Sequence, residues 1–582
     1  MLPPVSWFNL KQLAGTAYKS IISTIIGEQS DRRLMLALAS SEKEFYNYTR
    51  HHKIVNGKIV PDENSKRQEL WLDFIADTAD GWDPTYSVAY YASKPELNLS
   101  DGKNSYRTNR GEVLVFGGDE VYPAPSKKAY RERLITPFEQ AFGDDKPADP
   151  PHIFALPGNH DWYDGLEAFT RLFCSDLGSR KFAGWYSRQK RSYFALKLPQ
   201  NWWLLGSDGQ LHSNIDTAQL DYFRAIADGH MKEGDKVILC ISEPVWIYAH
   251  KYKKYGEQYD ESDLIFLQEE ILKPRGAEVK VYLTGDLHHY RRHEEVTGKE
   301  SKTQKITAGG GGSFLHPTHG ADFSLLTEEL QLPEQKPREF KLKKSYPDEK
   351  TSKKLGWKNI LFPFMNPGFG FLTGALYLIT IWIISSTFHF NFAHNLREFL
   401  GQTIKAFYIN PVAALWLGAV AAGFVFFNDT HSKLYKWIGG LVHFFMNLVS
   451  IAYIGLFATY INNTVFNENL ITGFTFIPII IFGLGWFFGA FNMGIYLTVS
   501  MNFFDRHDNE AFSALRCMDY KNFLRLHIDK EGTLTIYPVK IQKAARKWRF
   551  RKSGENDNSF IIPEDGSKPE LIEEPIVIKR ET

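Results

Sequence analysis

Cysteine is nearly missing from this chain. Cys174, Cys240 and Cys517 are the only three among 582 residues, and no two share a CxxC spacing. That excludes a disulfide framework and a zinc ribbon, and it fits a reducing compartment. Net charge is nearly missing too: 68 Lys plus Arg against 67 Asp plus Glu leave +1, so no global field draws nucleic acid, and none is expected as a partner. The amino terminus lacks a basic stretch followed by an unbroken apolar run, because Lys11 and Lys19 interrupt it, and no signal peptide is expected there. Long apolar runs are also lacking through the first 360 residues, then dominate 369–504. A chain of this length splits into domains, since single cores stop growing near about 250–300 residues.

Residues 1–69 read as a helical segment. Within it Leu10, Leu13, Ala17, Ile21 and Ile25 recur at steps of three or four, an amphipathic helix to be buried on the next domain or laid on a membrane. From 70 to 326, apolar runs ending in polar, Gly-containing turns (LDFIADTADG, EVLVFGGDE, HIFALPGNHD, KVILCISEP, VKVYLTGDLHH) alternate with helix-like stretches such as AYRERLITPFEQAF. The alternation predicts a sheet-cored α/β domain with polar residues at the carboxyl ends of its strands. Residues 327–366 are charged and Pro-containing and predict a basic linker.

Four apolar segments follow in 367–504, at 369–388, 411–427, 437–460 and 474–504, each near the roughly 17–25 residues of a spanning helix. His443 and Asn447 share one face of the third. Lysines before the first segment, HSKLYK between the second and third, and Arg506, Lys521 and Arg525 after the fourth put both flanks on the cytoplasmic side, although Arg397 and Lys405 lie in the first outer loop. Residues 505–552 predict a β-hairpin about Lys530-Glu531-Gly532, then a basic patch from Lys540 to Lys552 that suits anionic headgroups or a solvated face equally. Residues 553–582 predict a disordered tail.

The strongest chemical signal is Gly158-Asn159-His160-Asp161 after HIFALP, preceded by Gly118-Asp119 after EVLVFG. Asp and Asn at strand ends also cap helices and fill turns, which accounts for any one of them alone. A run Gly309-Gly310-Gly311-Gly312 before FLHPTH permits close backbone approach to a phosphate or to a sheet edge.

In order and wording these residues resemble the calcineurin-like metallophosphoesterase superfamily, with its D-x-H, G-D, G-N-H-D or G-N-H-E, lone His and G-H-x-H. Words such as GGDEVYP and GDLHHY resemble an uncharacterised bacterial branch with a multi-pass membrane segment. The resemblance implies an α/β fold, a β-sandwich flanked by helices in four αββα layers, beside a four-helix transmembrane domain and a small carboxyl-terminal β domain. It implies Asp77 and His288 on a first metal, Asp119 bridging, Asn159 on a second, and His160 with Asp161 as catalytic groups. His289, Gly310, Gly311, His316 and His319 are the implied substrate contacts.

Three positions depart from the pattern: Ala79, Glu243 and Asp286 stand where histidines belong, and Asp80 is the nearby oxygen ligand that Ala79 cannot be. Ligation by Asp77, Asp80, Asp119, Glu243 and Asp286 points to two divalent ions, manganese first, with magnesium, iron and zinc as alternatives. Two ions about 3.5–4 Å apart supply a hydroxide nucleophile at neutral pH and neutralise phosphoryl charge. The expectation is a cytosol-facing, multi-pass enzyme of the cell inner membrane, in contact with the lipid bilayer, hydrolysing a phosphoester, phosphodiester or pyrophosphate of a small or lipid-linked substrate. The alternative is a phosphoesterase-like sensor without turnover.

Overall fold

The computed structural model describes residues 2–10, 12–13, 15, 43–55, 58–147, 149–174, 180–209, 215–253, 259, 261–297, 302–328, 337–388, 393, 395–428, 432–466 and 470–580. The amphipathic helix expected over 10–26 lies largely outside them. The chain forms two units: Met1–Val5, Thr16–Glu349 and Cys517–Thr582 make one, Ser6–Gly15 and Lys350–Arg516 the other.

The first unit is mixed α/β, built on two nine-stranded sheets. In one sheet, Leu70–Ile75, Val113–Gly117 and His152–Leu156 run parallel. In the other, Trp202–Ser207, Lys236–Ile241, Glu278–Thr284 and Gln304–Ala308 do. Side chains alternate along a strand. Accordingly Leu70, Leu72, Phe74, Val113 and Val115 from the first sheet share one core with Leu204, Ile238, Cys240, Val281 and Leu283 from the second. Their neighbours Leu114, Phe116, Val237 and Leu239 face outward into a second core with residues of the helices Trp82–Ala92, Thr136–Phe142 and Thr217–His230. Burial on both faces explains why these strands read as unbroken apolar runs.

Three sequence expectations change here. The hairpin after the apolar region is no separate domain: Lys521–Ile528 pairs antiparallel with Leu70–Ile75, and Leu534–Ile541 pairs with it in turn. The tail is ordered, since Glu570–Leu571 and Ile576–Ile578 add to that edge and Ile572, Ile576 and Ile578 enter the inter-sheet core. The expected linker contains Arg338–Tyr346, which pairs with Tyr290–Glu295; its Lys341, Lys343 and Lys344 are exposed, hence its basic look. Much of the carboxyl-terminal basic patch is paired as well, Arg546 with Asp519, Arg549 with Glu555 and Arg551 with Asp144.

The second unit is helical. Pro367–Thr387, Lys433–Thr464 and Ile471–Phe504 are long and apolar enough to cross a membrane; Leu396–Ile409 and Pro411–Phe427 meet at 109° and make a fourth span if counted as one. Glycines bring two of these helices together. A Cβ on Gly370 or Gly374 would lie 2.5 Å from Trp486 or 2.8 Å from Phe482, and one on Gly485 or Gly489 would lie 2.8 Å from Tyr377 or 2.4 Å from Thr373. Small residues four apart on facing helices are how apolar helices pack closely in lipid. Asn447 accepts from the Tyr377 hydroxyl at 2.7 Å, and His443 stacks on Tyr496 at 4.3 Å, so both serve contacts between helices.

Candidate metal centre

The carboxyl ends of the parallel strands gather the polar residues, as open α/β sheets arrange their ligand sites. Asp77 follows Leu70–Ile75, Asp119 follows Val113–Gly117, and Asp286 and His288 follow Glu278–Thr284. All four sit in left-handed backbone, with φ of 58°, 53°, 69° and 43°. That conformation costs an L-residue about 1–2 kcal/mol, and Asp, Asn and His tolerate it best. Such strain persists where the surroundings impose it and clusters at functional sites.

One ligand atom from each of Asp77, Asp119 and His288 lies within 4.8 Å of the other two, and all three residues are buried. Asp77 Oδ2, His288 Nδ1 and Asn159 Oδ1 are buried with no hydrogen-bond partner. Burial, then the charges of Asp119 and Asp286, pushes the Asp77 carboxyl well above its usual range; burial also raises Asp119. Burial also holds His288 well below its usual value, hence neutral. Neutral imidazole, an amide oxygen and two carboxylates that resist ionising while alone are the donor set a divalent cation satisfies.

His160 stands beside this group. Its backbone N–H donates to Asp119 Oδ1 at 2.9 Å, and its ring is half-buried with Nδ1 2.9 Å from the carbonyl of Pro123. A carbonyl only accepts, so Nδ1 carries a proton and Nε2 is the nitrogen that exchanges one. Asp161 is buried, and its carboxylate accepts from the backbone of Gly158 and Glu120 and from the Tyr130 hydroxyl. Its carboxylate is thereby engaged within the turn that presents Asn159 and His160.

Three further expected ligands lie outside the group of three. Asp80 accepts from the backbone N–H of Ser313 and, at 3.1 Å, of Phe314, so it anchors the glycine-rich segment. Glu243 and Asp286 stay outside the group of three. Asp286 receives the Tyr248 hydroxyl and gives its own N–H to Asp77 Oδ1 at 3.0 Å.

The expected substrate contacts fare unevenly. Gly311 donates to the Ala76 carbonyl and Gly310 accepts from the Asn522 N–H, at 3.0 and 3.1 Å. A Cβ on Gly310 would lie 2.0 Å from Asn522. The glycines therefore serve close approach of backbone to sheet, and these two groups are spent. His289 is 1 % exposed, with Nδ1 3.3 Å from the carbonyl of His316. His316 and His319 are half-buried, His316 with its ring 5.0 Å from that of His288.

Sequence reasoning missed Tyr122. Its hydroxyl lies 2.7 Å from Asp119 Oδ2, 2.9 Å from His288 Nε2 and 3.4 Å from Asp77 Oδ1, touching all three members of the group. Its spacing, three residues after Asp119 in one turn, was the available signal.

No protein-family profile matches the chain, and no curated protein does. Among solved structures it is similar to GAP50, the anchor in the inner membrane complex of Plasmodium, at 12% identity and TM-score 0.29, over 49% of this chain and 93% of that one. It is similar to the purple acid phosphatase PPD1 of yellow lupin (Lupinus luteus) seeds at 13% and 0.30, over 47% and 51%. A third likeness is to PhoD, at 9% and 0.25, over 43% and 59%. Likenesses this distant carry no weight for the chemistry.

Proposed function

We propose that this protein is a membrane-anchored, divalent-metal-dependent phosphoesterase with a calcineurin-like αββα sandwich. The observation that carries the reading is the buried group of Asp77, Asp119 and His288, with unpartnered ligand atoms and Asn159 Oδ1 also unpartnered. Asp77, Asp119, His288 and Asn159 would hold two divalent ions, manganese first, with magnesium, iron and zinc as alternatives. Such ions supply Lewis acidity toward phosphoryl oxygens and a nucleophile at neutral pH. His160, fixed through Nδ1, would pass a proton at Nε2 to the leaving oxygen. The substrate class is a phosphoester, phosphodiester or pyrophosphate, on a small molecule or a lipid.

The folding pattern supports four crossings. Strands on both flanks of the helical region belong to one sheet, so an even number of crossings separates them. Three long helices alone are odd. Pro411–Phe427, about 25 Å long at 1.5 Å per residue, then supplies the fourth, with Leu396–Ile409 folded off it. Basic residues at Lys350, Lys353, Lys354, Lys433, Lys436 and Arg506 favour flanks in the cytosol, and in bacteria the membrane is the inner one. Lys521 and Arg525 no longer count toward that bias, because both are buried in the sandwich.

The test is hydrolysis of an aryl phosphate ester by the purified full chain in detergent, with Mn²⁺, Mg²⁺, Fe²⁺ and Zn²⁺ in turn. Turnover that Asp119→Asn abolishes supports the reading, and inertness with every metal overturns it. One observation favours a sensor without turnover: the Tyr122 hydroxyl already bonds Asp119 and approaches His288. Metal binding without hydrolysis would decide for that reading.

A further inference from the structure

The strand His152–Leu156 has a second end, remote from the turn that carries Asn159 by about 3.3 Å for each of its residues. At that end Tyr48, His52 and His152 meet, and the Arg188 guanidinium lies 5.7 Å from the ring of Tyr46, two residues before Tyr48. The Tyr48 hydroxyl lies 2.5 Å from His152 Nδ1, and the His52 ring is 5.0 Å from that of Tyr48 and 4.9 Å from that of His152. Tyr48, His52 and His152 are 1%, 5% and 1% exposed. The charge of Arg188 acts on all three.

Both ring nitrogens of His52, Nε2 of His152 and Nη1 of Arg188 are buried without a hydrogen-bond partner. Each such atom costs about 1–3 kcal/mol unless something meets it. In the tautomer in which Tyr48 donates to Nδ1, the His152 proton is on Nε2 and that atom is a donor, as Nη1 of Arg188 always is. Neighbouring acids are already engaged: Glu112 and Asp149 both pair with Arg67, at 3.0 and 2.5 Å, and Asp149 also with His51 at 3.1 Å. Among the described residues no carboxylate pairs with Arg188. The guanidinium repels a metal ion, and unsatisfied donors on three separate side chains call for an acceptor with several oxygens.

We propose that Arg188, His52 and His152 form a binding site for a tetrahedral oxyanion, inorganic phosphate being the simplest, separate from the metal centre and independent of its chemistry. Burial, then Arg188 and Arg67, holds His52 down to about 3, so the imidazoles engage as neutral donors and Arg188 supplies the charge.

The experiment titrates inorganic phosphate into the full chain in detergent, stripped of metal by chelation, and reads heat and melting temperature. One saturable site is expected in the natural protein and equally in Asp77→Asn, at least tenfold weaker in Arg188→Gln and in His152→Phe. Both variants are first checked for an unchanged circular dichroism spectrum; phosphate should raise the melting temperature of the natural protein and not theirs. Tighter binding of glycerol phosphate than of inorganic phosphate keeps the site and makes its ligand an ester headgroup. Absence of saturable binding, binding unchanged in both variants, or binding lost in Asp77→Asn overturns the proposal.

Discussion

Arg525 holds Asp73 through two hydrogen bonds, Nε to Oδ1 at 2.8 Å and Nη2 to Oδ2 at 3.2 Å, across 452 residues of sequence. Both side chains are buried, and Nη2 also reaches the carbonyl of Ala92. The pair ties the strand that follows the helical region to the strand that ends at Asp77. Breaking a buried pair from one side strands the other charge, at about 3–5 kcal/mol. Arg525→Met should lower the melting temperature of the first unit steeply, while Arg525→Met with Asp73→Leu should recover most of the loss. An unchanged melting temperature in the single variant would contradict this.

The sequence pattern exposed the strands near the site because each is an apolar run ending in a polar turn, while the resemblance to a metallophosphoesterase motif is what singled out Asp77, Asp119 and His288 within those turns. Asp73 and Arg525 were not legible, because pairing at that separation leaves no local trace; Arg525 looked like a membrane-flanking charge. The tail was misjudged because strands as short as Ile576–Ile578 gain order only by adding to an existing edge. Asp80 reads as a ligand because residue type tells which atoms can bind a metal, and only the fold tells that its oxygens already accept from Ser313 and Phe314.

Metal content separates these two kinds of aspartate. Asp77→Asn and His288→Ala should each lower the divalent metal retained after dialysis and reduce phosphoesterase turnover by a factor of 100 or more, read by elemental analysis and initial rates. Asp80→Asn should keep its metal and instead melt earlier, having lost part of its hold on Ser313 and Phe314.

Tyr122→Phe removes a hydroxyl that touches all three members of the group. Groups that orient metal ligands typically contribute 10–100-fold in affinity or activity. A loss in that range is expected in competition with a chelating dye, without a large change in melting temperature; unaltered affinity would make Tyr122 a packing residue.

Stability of the metal-free protein should fall as pH rises. Burial, with the nearby carboxylates, pushes Asp286 up to about 7 and Glu243 up to about 8. The folded protein keeps protons that the unfolded chain releases near pH 4, so this stabilisation is full below that pH and is lost as pH climbs through 7 and 8. At about 1.4 kcal/mol per unit, the melting temperature at pH 8.5 should sit under that at pH 7, a window above the range in which His52 and His288, kept neutral by burial, add stability as pH rises. Glu243→Gln should flatten the slope, and added Mn²⁺ should too, because a cation favours the ionised forms.

The even number of crossings is the remaining prediction, and single cysteines introduced for labelling in intact cells can read it. Residues in the Arg338–Tyr346 strand and the Leu534–Ile541 strand must lie on the same side, since both belong to the sandwich. With four crossings, Asn395 and Val465 share the opposite side and Ser432 returns to the first. If Pro411–Phe427 enters and leaves by one face, Ser432 would instead label with Asn395, three crossings would remain, and the two halves of the sandwich would be parted by the membrane. The pairing of Leu70–Ile75 with Lys521–Ile528 forbids that arrangement, so Ser432 is the position whose labelling decides.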